Sequence, residues 1–166
     1  MIITRRVKYP DGEAIKNAEI EIWQTAKNGL YSNIDPAQDE YNLRAHMKLD
    51  DDGKYALTTV RPAPYTVPDD GPVGELPRST GRHPWRPSHL HFIITAPGYR
   101  PLVTEVFPSE GPYLDEDAAF GVRERLVMEY IERSYLDNVP SGLEIARMSR
   151  CLISGLILIL LSFRHR

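Results

Sequence analysis

The chain has 166 residues, of which 42% are apolar and 26% are charged, and this is the composition of an ordinary soluble globular domain. The formal net charge of -3, without any Lys/Arg block, argues against a general nucleic-acid-binding protein. Cys151 is the only cysteine, so no disulfide forms within the chain, and a reducing compartment, the cytoplasm, is expected. The apolar run after Met1 is too short for a signal peptide.

The first half of the chain is predicted to form short strands separated by turns. Residues 18–23 alternate apolar and polar side chains with a period of two, which is typical of a half-buried strand. Residues 50–53 have the turn sequence Asp-Asp-Asp-Gly, and strand-like stretches at 45–49 and 55–60 lie on either side of it. This pattern predicts a β-hairpin.

Two more strands are predicted further along the chain. Residues 89–96 are rich in β-forming side chains and end at Pro97-Gly98, and residues 102–107 are predicted to form the next strand. Many short strands with regular turn signals between them are typical of a β-sandwich. We therefore predict an all-β chain with a β-sandwich core and long loops.

Residues 61–87 differ from the rest because they contain seven prolines and three glycines. Such a composition is incompatible with a regular central strand or helix. Long loops in a compact domain are usually functional or disordered, and the anchors Tyr65, Val73 and Trp85 argue against disorder. The sequence therefore predicts an ordered loop that crosses the mouth of the sandwich.

The C-terminal part of the chain gives weaker signals. Residues 120–135 fit a helix or a strand, residues 142–148 suit a helix, and no strand pattern closes the sandwich after them. Residues 151–163 are apolar and uncharged, but a spanning helix needs about 20 such residues, so a buried core element or an aberrant C-terminus is favoured over a membrane anchor. We divide the chain into a β-sandwich domain, residues 1–135, and a divergent tail, residues 136–166.

The sharpest chemical signal is the pair His89 and His91. Residues two apart on a strand point to the same face, so the two imidazoles lie side by side, and histidine is the commonest metal ligand. Two histidines also share a strand face by chance, so the pair alone favours a structural role. Neither cysteine nor Asp/Glu at ligand spacing lies near the pair in the sequence, which disfavours the usual zinc sites and a zinc hydrolase.

Two tyrosines in loop sequences, Tyr31 and Tyr65, are further candidates for metal ligands. Most tyrosines are packing residues. A phenolate is a reasonable ligand only for a hard, highly charged ion, since the phenol pKa of about 10 must fall well below neutrality, and ferric iron meets that requirement. Two phenolates and two imidazoles around ferric iron leave one net positive charge, which suits a dianionic chelating substrate.

Several runs together resemble the intradiol ring-cleavage dioxygenase family, in the family's order over about residues 6–133. The runs that carry the resemblance are residues 29–31, 59–72, 81–92, 96–99 and 113–122. Residues 82–87, Arg-His-Pro-Trp-Arg-Pro, and residues 71–74, Gly-Pro-Val-Gly, are most similar to hydroxyquinol 1,2-dioxygenases, and catechol and chlorocatechol 1,2-dioxygenases come next.

The resemblance implies a non-haem Fe(III) cofactor and a set of functional residues. The implied metal ligands are Tyr31, Tyr65, His89 and His91. It further implies that Tyr65 leaves the iron when a diol chelates and takes up a substrate proton, and that Arg86 stabilises negative charge on the ring. The residues implied to line the substrate site are Val73, Phe120, Gly121 and, with no defined role, Glu105.

The implied reaction is intradiol cleavage of a catechol-type ring by O2. Hydroxyquinol would give maleylacetate, and the alternative substrate catechol would give cis,cis-muconate. Position 105 is Glu where catechol-type members commonly carry Gln. Family members carry a helical region before this core that forms their dimer interface and covers part of the pocket, so we expect no dimer of that type, a pocket open to water and, as a further alternative, an inactive fragment.

Overall fold

The computed structural model describes residues 1–9, 11–132, 151–153 and 157–159, and strands dominate among them. One five-stranded sheet contains β1 Ile2–Lys8, β4 Lys54–Thr58, β10 Tyr130–Glu132, β11 Cys151–Ile153 and β12 Ile157–Ile159. The second contains β2 Glu19–Trp23, β3 Arg44–Lys48, β7 Leu90–Thr95, β8 Leu102–Pro108 and β9 Val127–Met128. The remaining elements are the two-stranded sheet of β5 Tyr65–Thr66 and β6 Trp85–Arg86, helix α1 Pro72–Ser79 and a 3₁₀ turn, Glu124–Leu126.

The two large sheets share one apolar core. Along β7 the side chains of Leu90, Phe92 and Ile94 are fully buried, and they belong to the same cluster as Ile3 and Val7 of β1 in the other sheet. Alternate residues of a strand point to opposite faces, so the remaining side chains of β7 lie on the outer face of the second sheet. The prediction of an all-β sandwich is confirmed.

The predicted hairpin around residues 50–53 is wrong, although both of its strands exist. β3 pairs with β2 in the second sheet, whereas β4 pairs with β1 in the first sheet. The turn crosses between the sheets and is held by Gly53, whose carbonyl oxygen accepts the Val7 N–H at 2.8 Å. Gly53 has a φ of +67°, and a Cβ there would lie 2.5 Å from the Val7 oxygen. Local alternation predicts strands but does not choose their partners.

The proline-rich residues 61–87 contain more regular structure than predicted. Helix α1 begins with Pro72 at a position where a missing N–H costs nothing, and Pro77 lies in its second half. The expectation that no regular helix forms here was therefore wrong, because eight residues suffice for a helix that tolerates one lost hydrogen bond. β5 and β6 pair at the two ends of the segment.

The C-terminal apolar run contributes strands where no strand pattern was predicted. β11 and β12 both pair parallel with β1, and β10 pairs antiparallel with β11. β4 pairs with the other edge of β1. The short apolar stretches therefore form strands by pairing with β1, a partner far away in the sequence. The suggested helix at 142–148 lies outside the described residues. None of the helices in the described ranges is both long and apolar enough to cross a membrane.

The shared core predicts a large stability difference between two positions in the second sheet. Phe92 is fully buried, whereas Val103 of β8 is 66% exposed. Phe92→Ala should lower the free energy of unfolding by about 3–5 kcal/mol, and the control Val103→Ala should change it by less than about 0.5 kcal/mol. Urea unfolding followed by circular dichroism measures both values. Similar effects at the two positions would contradict the assignment of the core.

Candidate metal centre

The site is built on the outer face of the second sheet, opposite the core. The strand register places Trp23 of β2, His91 of β7 and Glu105 of β8 directly opposite one another. Directly paired residues lie on the same face, so the three side chains form a row across three strands. The Trp23 and His91 rings stack with centroids 4.7 Å apart and an interplanar angle of 4°. The indole therefore holds the plane of the imidazole.

His89 lies just before β7 and is 2% exposed. Its Nδ1 lies 2.7 Å from the carbonyl oxygen of Pro87, which can only accept, so Nδ1 carries the proton. Its Nε2 is therefore an unprotonated acceptor, and the Arg86 Nη1 group, 3.3 Å away, donates to it. This arrangement is the one that a metal-binding histidine needs.

Tyr31 is placed by a tight turn after β2. The Gly29 N–H donates to the Ala26 oxygen at 3.0 Å, and the Ala26 N–H donates to the Leu30 oxygen at 2.9 Å. Gly29 has a φ of +79°, and a Cβ there would come within 3.0 Å of the Pro64 oxygen. A glycine is required because the turn is left-handed and packs closely against the chain just before Tyr65.

Tyr65 reaches the same place from the proline-rich segment. In β5 it pairs with Arg86 of β6, and the preceding backbone is tied to the end of β2. The buried Gln24 side chain donates to the Val60 oxygen at 2.9 Å, and the buried Thr25 hydroxyl donates to the Ala63 oxygen at 2.8 Å. These two bonds tie the segment before Tyr65 to the residues that follow β2.

Two imidazoles and two phenols converge on one point. Nε2 of His91 lies 3.0 Å from the Tyr31 hydroxyl and 3.0 Å from Nε2 of His89. The Tyr65 ring centroid lies 5.3 Å from that of Tyr31 and 5.4 Å from that of His89. Donor atoms bound at about 2.1 Å and at right angles are about 3 Å apart, so the spacing fits a metal ion.

The electrostatics of these four groups favour a strongly charged cation. Burial lowers the pKa of His91 to about 4, with the charge of His89 adding to the effect, and burial together with Arg86 lowers the pKa of His89. Both imidazoles are therefore neutral at pH 7, as metal ligands must be. Burial, with a contribution from the Tyr65 hydroxyl, raises the pKa of Tyr31, so its phenolate forms only beside a cation.

Arg86 lies beside the four donor groups and is 6% exposed. Glu105 accepts from Nη2 at 2.6 Å and from Nη1 at 3.2 Å, while Asp117 accepts from Nε at 3.0 Å and from Nη2 at 3.2 Å. Burial would lower the pKa of Arg86, but the hydrogen bonds with Asp117 and Glu105 outweigh it and raise the pKa. Nη1 also points at the Tyr65 hydroxyl, 3.4 Å away.

Gly121 packs against this charged cluster. Its N–H donates to Asp117 Oδ2 at 2.8 Å, and the Ala119 N–H donates to Asp117 Oδ1 at 3.1 Å. A Cβ on Gly121 would lie 2.9 Å from Arg86 Nη2 and 3.1 Å from a carboxylate oxygen of Glu105. The position therefore has room only for glycine while the guanidinium keeps its place.

The structure brings most of the predicted site residues together. Those at the convergence point or in contact with it are Tyr31, Tyr65, Arg86, His89, His91, Glu105 and Gly121. Val73 on α1 and Phe120 are 69% and 63% exposed at the surface. The guanidinium of Arg82 lies 4.1 Å from the centroid of the Phe120 ring.

Sequence reasoning missed Asp117 and Trp23, and it gave Glu105 no defined role. The sequence predicted Glu105 near the substrate without a defined role, and in the structure Glu105 forms with His89 and His91 a group whose ligand atoms all lie within 4.8 Å. Asp117 appeared only within the motif at residues 113–122. Its carboxylate accepts the backbone N–H groups of Ala119 and Gly121, and an Asp that bonds to the backbone two residues on is a recognised turn signal. Trp23 had no signal beyond its place at the end of a strand.

Comparison with known proteins places this chain in a family. The family model described as Dioxygenase matches residues 1–146. The chain is 41% identical over 131 residues to hydroxyquinol 1,2-dioxygenase of Rhizobium sp., and 45% identical over 129 residues to 6-chlorohydroxyquinol 1,2-dioxygenase of Cupriavidus pinatubonensis. The chain belongs to the intradiol ring-cleavage dioxygenases.

The likeness to intradiol dioxygenases extends to their folds. The crystal structure of hydroxyquinol 1,2-dioxygenase from Pseudomonas putida DLL-E4 matches 96% of this chain and 55% of that chain, with a TM-score of 0.86 and 42% identity. The two curated relatives are each matched over 78% of this chain, but over only 44% and 47% of their own length. The chain thus spans about half the length of the curated relatives it matches.

The anchoring of Arg86 predicts a stability effect with a defined pH dependence. Asp117→Asn removes a buried charge from the guanidinium and should lower the free energy of unfolding by about 2 kcal/mol at pH 7. Hydrogen bonds from Arg86, Ala119 and Gly121 outweigh burial and lower the pKa of Asp117. The stabilisation is therefore present above the usual carboxyl range and is lost as pH falls through the lowered pKa.

Urea unfolding at several pH values measures this effect. Glu116→Gln is the matched control, since its side chain is 71% exposed, and we expect a change within about 0.5 kcal/mol. Equal destabilisation by the two substitutions, or an Asp117→Asn effect that grows on acidification, would show that the Arg86–Asp117 pair does not act as described.

Proposed function

We propose that this chain carries the active site of an enzyme that opens catechol-type rings by intradiol cleavage with O2 at a non-haem Fe(III) centre. The observation that carries the proposal is the convergence of two neutral imidazoles and two phenols beside a buried arginine. Intradiol dioxygenases are non-haem iron proteins, and the described residues include a group that could hold a metal.

The proposed iron ligands are Tyr31, Tyr65, His89 and His91. Both imidazoles are neutral, and their Nε2 atoms lie 3.0 Å apart, which is the spacing of two nitrogen ligands on one cation. The raised pKa of Tyr31 requires a highly charged ion for ionisation, which favours ferric iron over a divalent metal. Bound iron would supply the Lewis acid that holds and activates the diol.

Tyr65 is proposed as the group that takes a proton from the diol. Its hydroxyl lies 3.4 Å from the Nη1 group of Arg86, which donates to it and stabilises negative charge on the phenolate oxygen. A phenolate next to the bound diol is a base within reach of the hydroxyl proton. Tyr31, held by its turn and paired with His91 Nε2, is proposed to remain in place.

Arg86 is proposed to stabilise the negative charge that develops on the ring during oxygen attack. Two carboxylates fix the guanidinium in a site that excludes most water, where an oriented charge acts most strongly. The proposed pocket walls are Val73, Phe120 and Gly121, with Glu105 beside Arg86. Hydroxyquinol is the proposed substrate because the relatives at 41% and 45% identity are named for hydroxyquinol and 6-chlorohydroxyquinol.

The proposal predicts a coloured protein. After loading with ferric iron, tyrosinate coordination should give a broad visible absorption band, and hydroxyquinol added without oxygen should shift that band as the diol chelates. Tyr31→Phe should weaken the band. Tyr41→Phe is the matched control, since the Tyr41 side chain is 70% exposed and makes no contribution to the site. A wild-type protein that stays colourless with bound iron would refute tyrosinate ligation.

A second prediction concerns turnover. Tyr65→Phe should lower kcat/KM for hydroxyquinol by about 100-fold or more, since a positioned base contributes at least that much, whereas Tyr41→Phe should leave it unchanged. Oxygen uptake and the appearance of maleylacetate measure the rate. Unchanged turnover in Tyr65→Phe would exclude the proposed base, and faster cleavage of catechol to cis,cis-muconate would make catechol the substrate.

A further inference from the structure

The Nδ1 atoms of the two imidazoles lie near different acceptors, a backbone carbonyl oxygen for His89 and a carboxylate oxygen for His91. The Nδ1–H group of His89 donates to the backbone oxygen of Pro87 at 2.7 Å, which leaves Nε2 for the donor cluster. The corresponding atom of His91, Nδ1, lies 3.5 Å from Oε1 of Glu105, an ion-pair distance at the upper limit of a hydrogen bond. Each ring therefore presents Nε2 to the convergence point and Nδ1 to an oxygen.

The position of Glu105 follows from the register of the second sheet. His91 and Glu105 are directly opposite on β7 and β8, so their side chains share the outer face. Trp23, opposite His91 on the other side, stacks on the imidazole and prevents it from tilting away. The His91 and Glu105 side chains are 15% and 23% exposed, so water competes only weakly for the contact between them.

Glu105 can serve Arg86 and His91 at the same time. Its Oε2 accepts from Arg86 Nη2 at 2.6 Å, and its Oε1 accepts from Arg86 Nη1 at 3.2 Å. A carboxylate oxygen has two lone pairs, so Oε1 retains one for the Nδ1–H of His91. The Tyr31 hydroxyl, 3.0 Å from His91 Nε2, is then the donor to that nitrogen in the metal-free protein.

We propose that Glu105 is a positioning residue that joins the two halves of the site: it accepts the Nδ1–H of His91, which directs Nε2 to the metal, while it holds the guanidinium of Arg86. The proposal rests on the function proposed above. In it, Glu105 orients His91 and Arg86 without binding the metal itself. A carboxylate behind a ligating histidine fixes the ring and its tautomer and raises the basicity of the metal-binding nitrogen.

The competing arrangement makes Glu105 itself a metal ligand, in a set with His89 and His91. Two histidines and one carboxylate do bind divalent metals in many proteins. Oε1 of Glu105, however, lies 3.5 Å from Nδ1 of His91, so a metal bound by these two atoms would lie on the Nδ1 side of the ring, away from the convergence point at Nε2. The geometry therefore favours the positioning role.

The test compares two substitutions in the metal-free protein. Glu105→Gln keeps an acceptor oxygen and removes the charge, whereas Glu105→Met removes both at similar size. Nitrogen-15 NMR of the imidazole rings reports which nitrogen carries the proton. We expect His91 to be protonated on Nδ1 in the wild type and in Glu105→Gln, and to lose that preference in Glu105→Met.

The same variants are then titrated with ferric iron. Glu105→Met should bind it about 10- to 100-fold more weakly than wild type, and Glu105→Gln should stay within roughly threefold. Glu19→Met is the matched control, since it removes an exposed carboxylate that lies 3.1 Å from Nε2 of His46 outside the site, and it should change neither readout. Circular dichroism verifies that each variant is folded.

Two results would overturn the proposal. The first is a His91 tautomer that is unchanged in Glu105→Met, and if iron binding is nevertheless weaker, the effect would belong to direct ligation. The second is a Glu105→Gln variant as impaired as Glu105→Met, which would assign the effect to the charge of Glu105. The NMR result needs neither metal nor turnover, so a wild-type protein that binds no iron would refute the proposed function separately.

Discussion

The buried guanidinium of Arg86 is the constraint on which the rest of the site depends. A buried cation is tolerated only when it is paired and fully hydrogen-bonded, and Glu105 and Asp117 together supply four such bonds. These bonds connect β6, β8 and the turn that ends at Gly121, so three separated parts of the chain are held against one side chain. The same cation lies within 3.4 Å of both the Tyr65 hydroxyl and the His89 ring.

The charges of the cluster also bear on the proposed chemistry. Arg86 with Glu105 and Asp117 carries one net negative charge, and ferric iron with two phenolates would carry one net positive charge, so the whole centre would be neutral. A neutral centre gains little from two added negative charges unless one of its own is neutralised. Proton uptake by Tyr65, the role proposed for it, would neutralise one of these charges.

The sandwich core and the proposed metal site use opposite faces of one strand. The inward side of β7 supplies Leu90, Phe92 and Ile94 to the core, while His91 points outward and is covered by the two loops that bring in the tyrosines. The sheet therefore acts as a rigid base, and its register sets the spacing of Trp23, His91 and Glu105. Rigid placement of this kind is what a site with precise ligand geometry requires.

Local sequence was sufficient for the features that depend on neighbouring residues. Period-two alternation predicted the strands and the sandwich, H-x-H predicted two imidazoles on one face, and the family motifs named the tyrosines and Arg86. The sequence by itself did not determine the partners of β3 and β4, the strands of the apolar run or the contacts of Glu105 and Asp117. Those features depend on strand pairing and burial between residues far apart in the chain. Tertiary structure decides them because the residues next to a carboxylate in the sequence do not indicate which distant cation it will pair with.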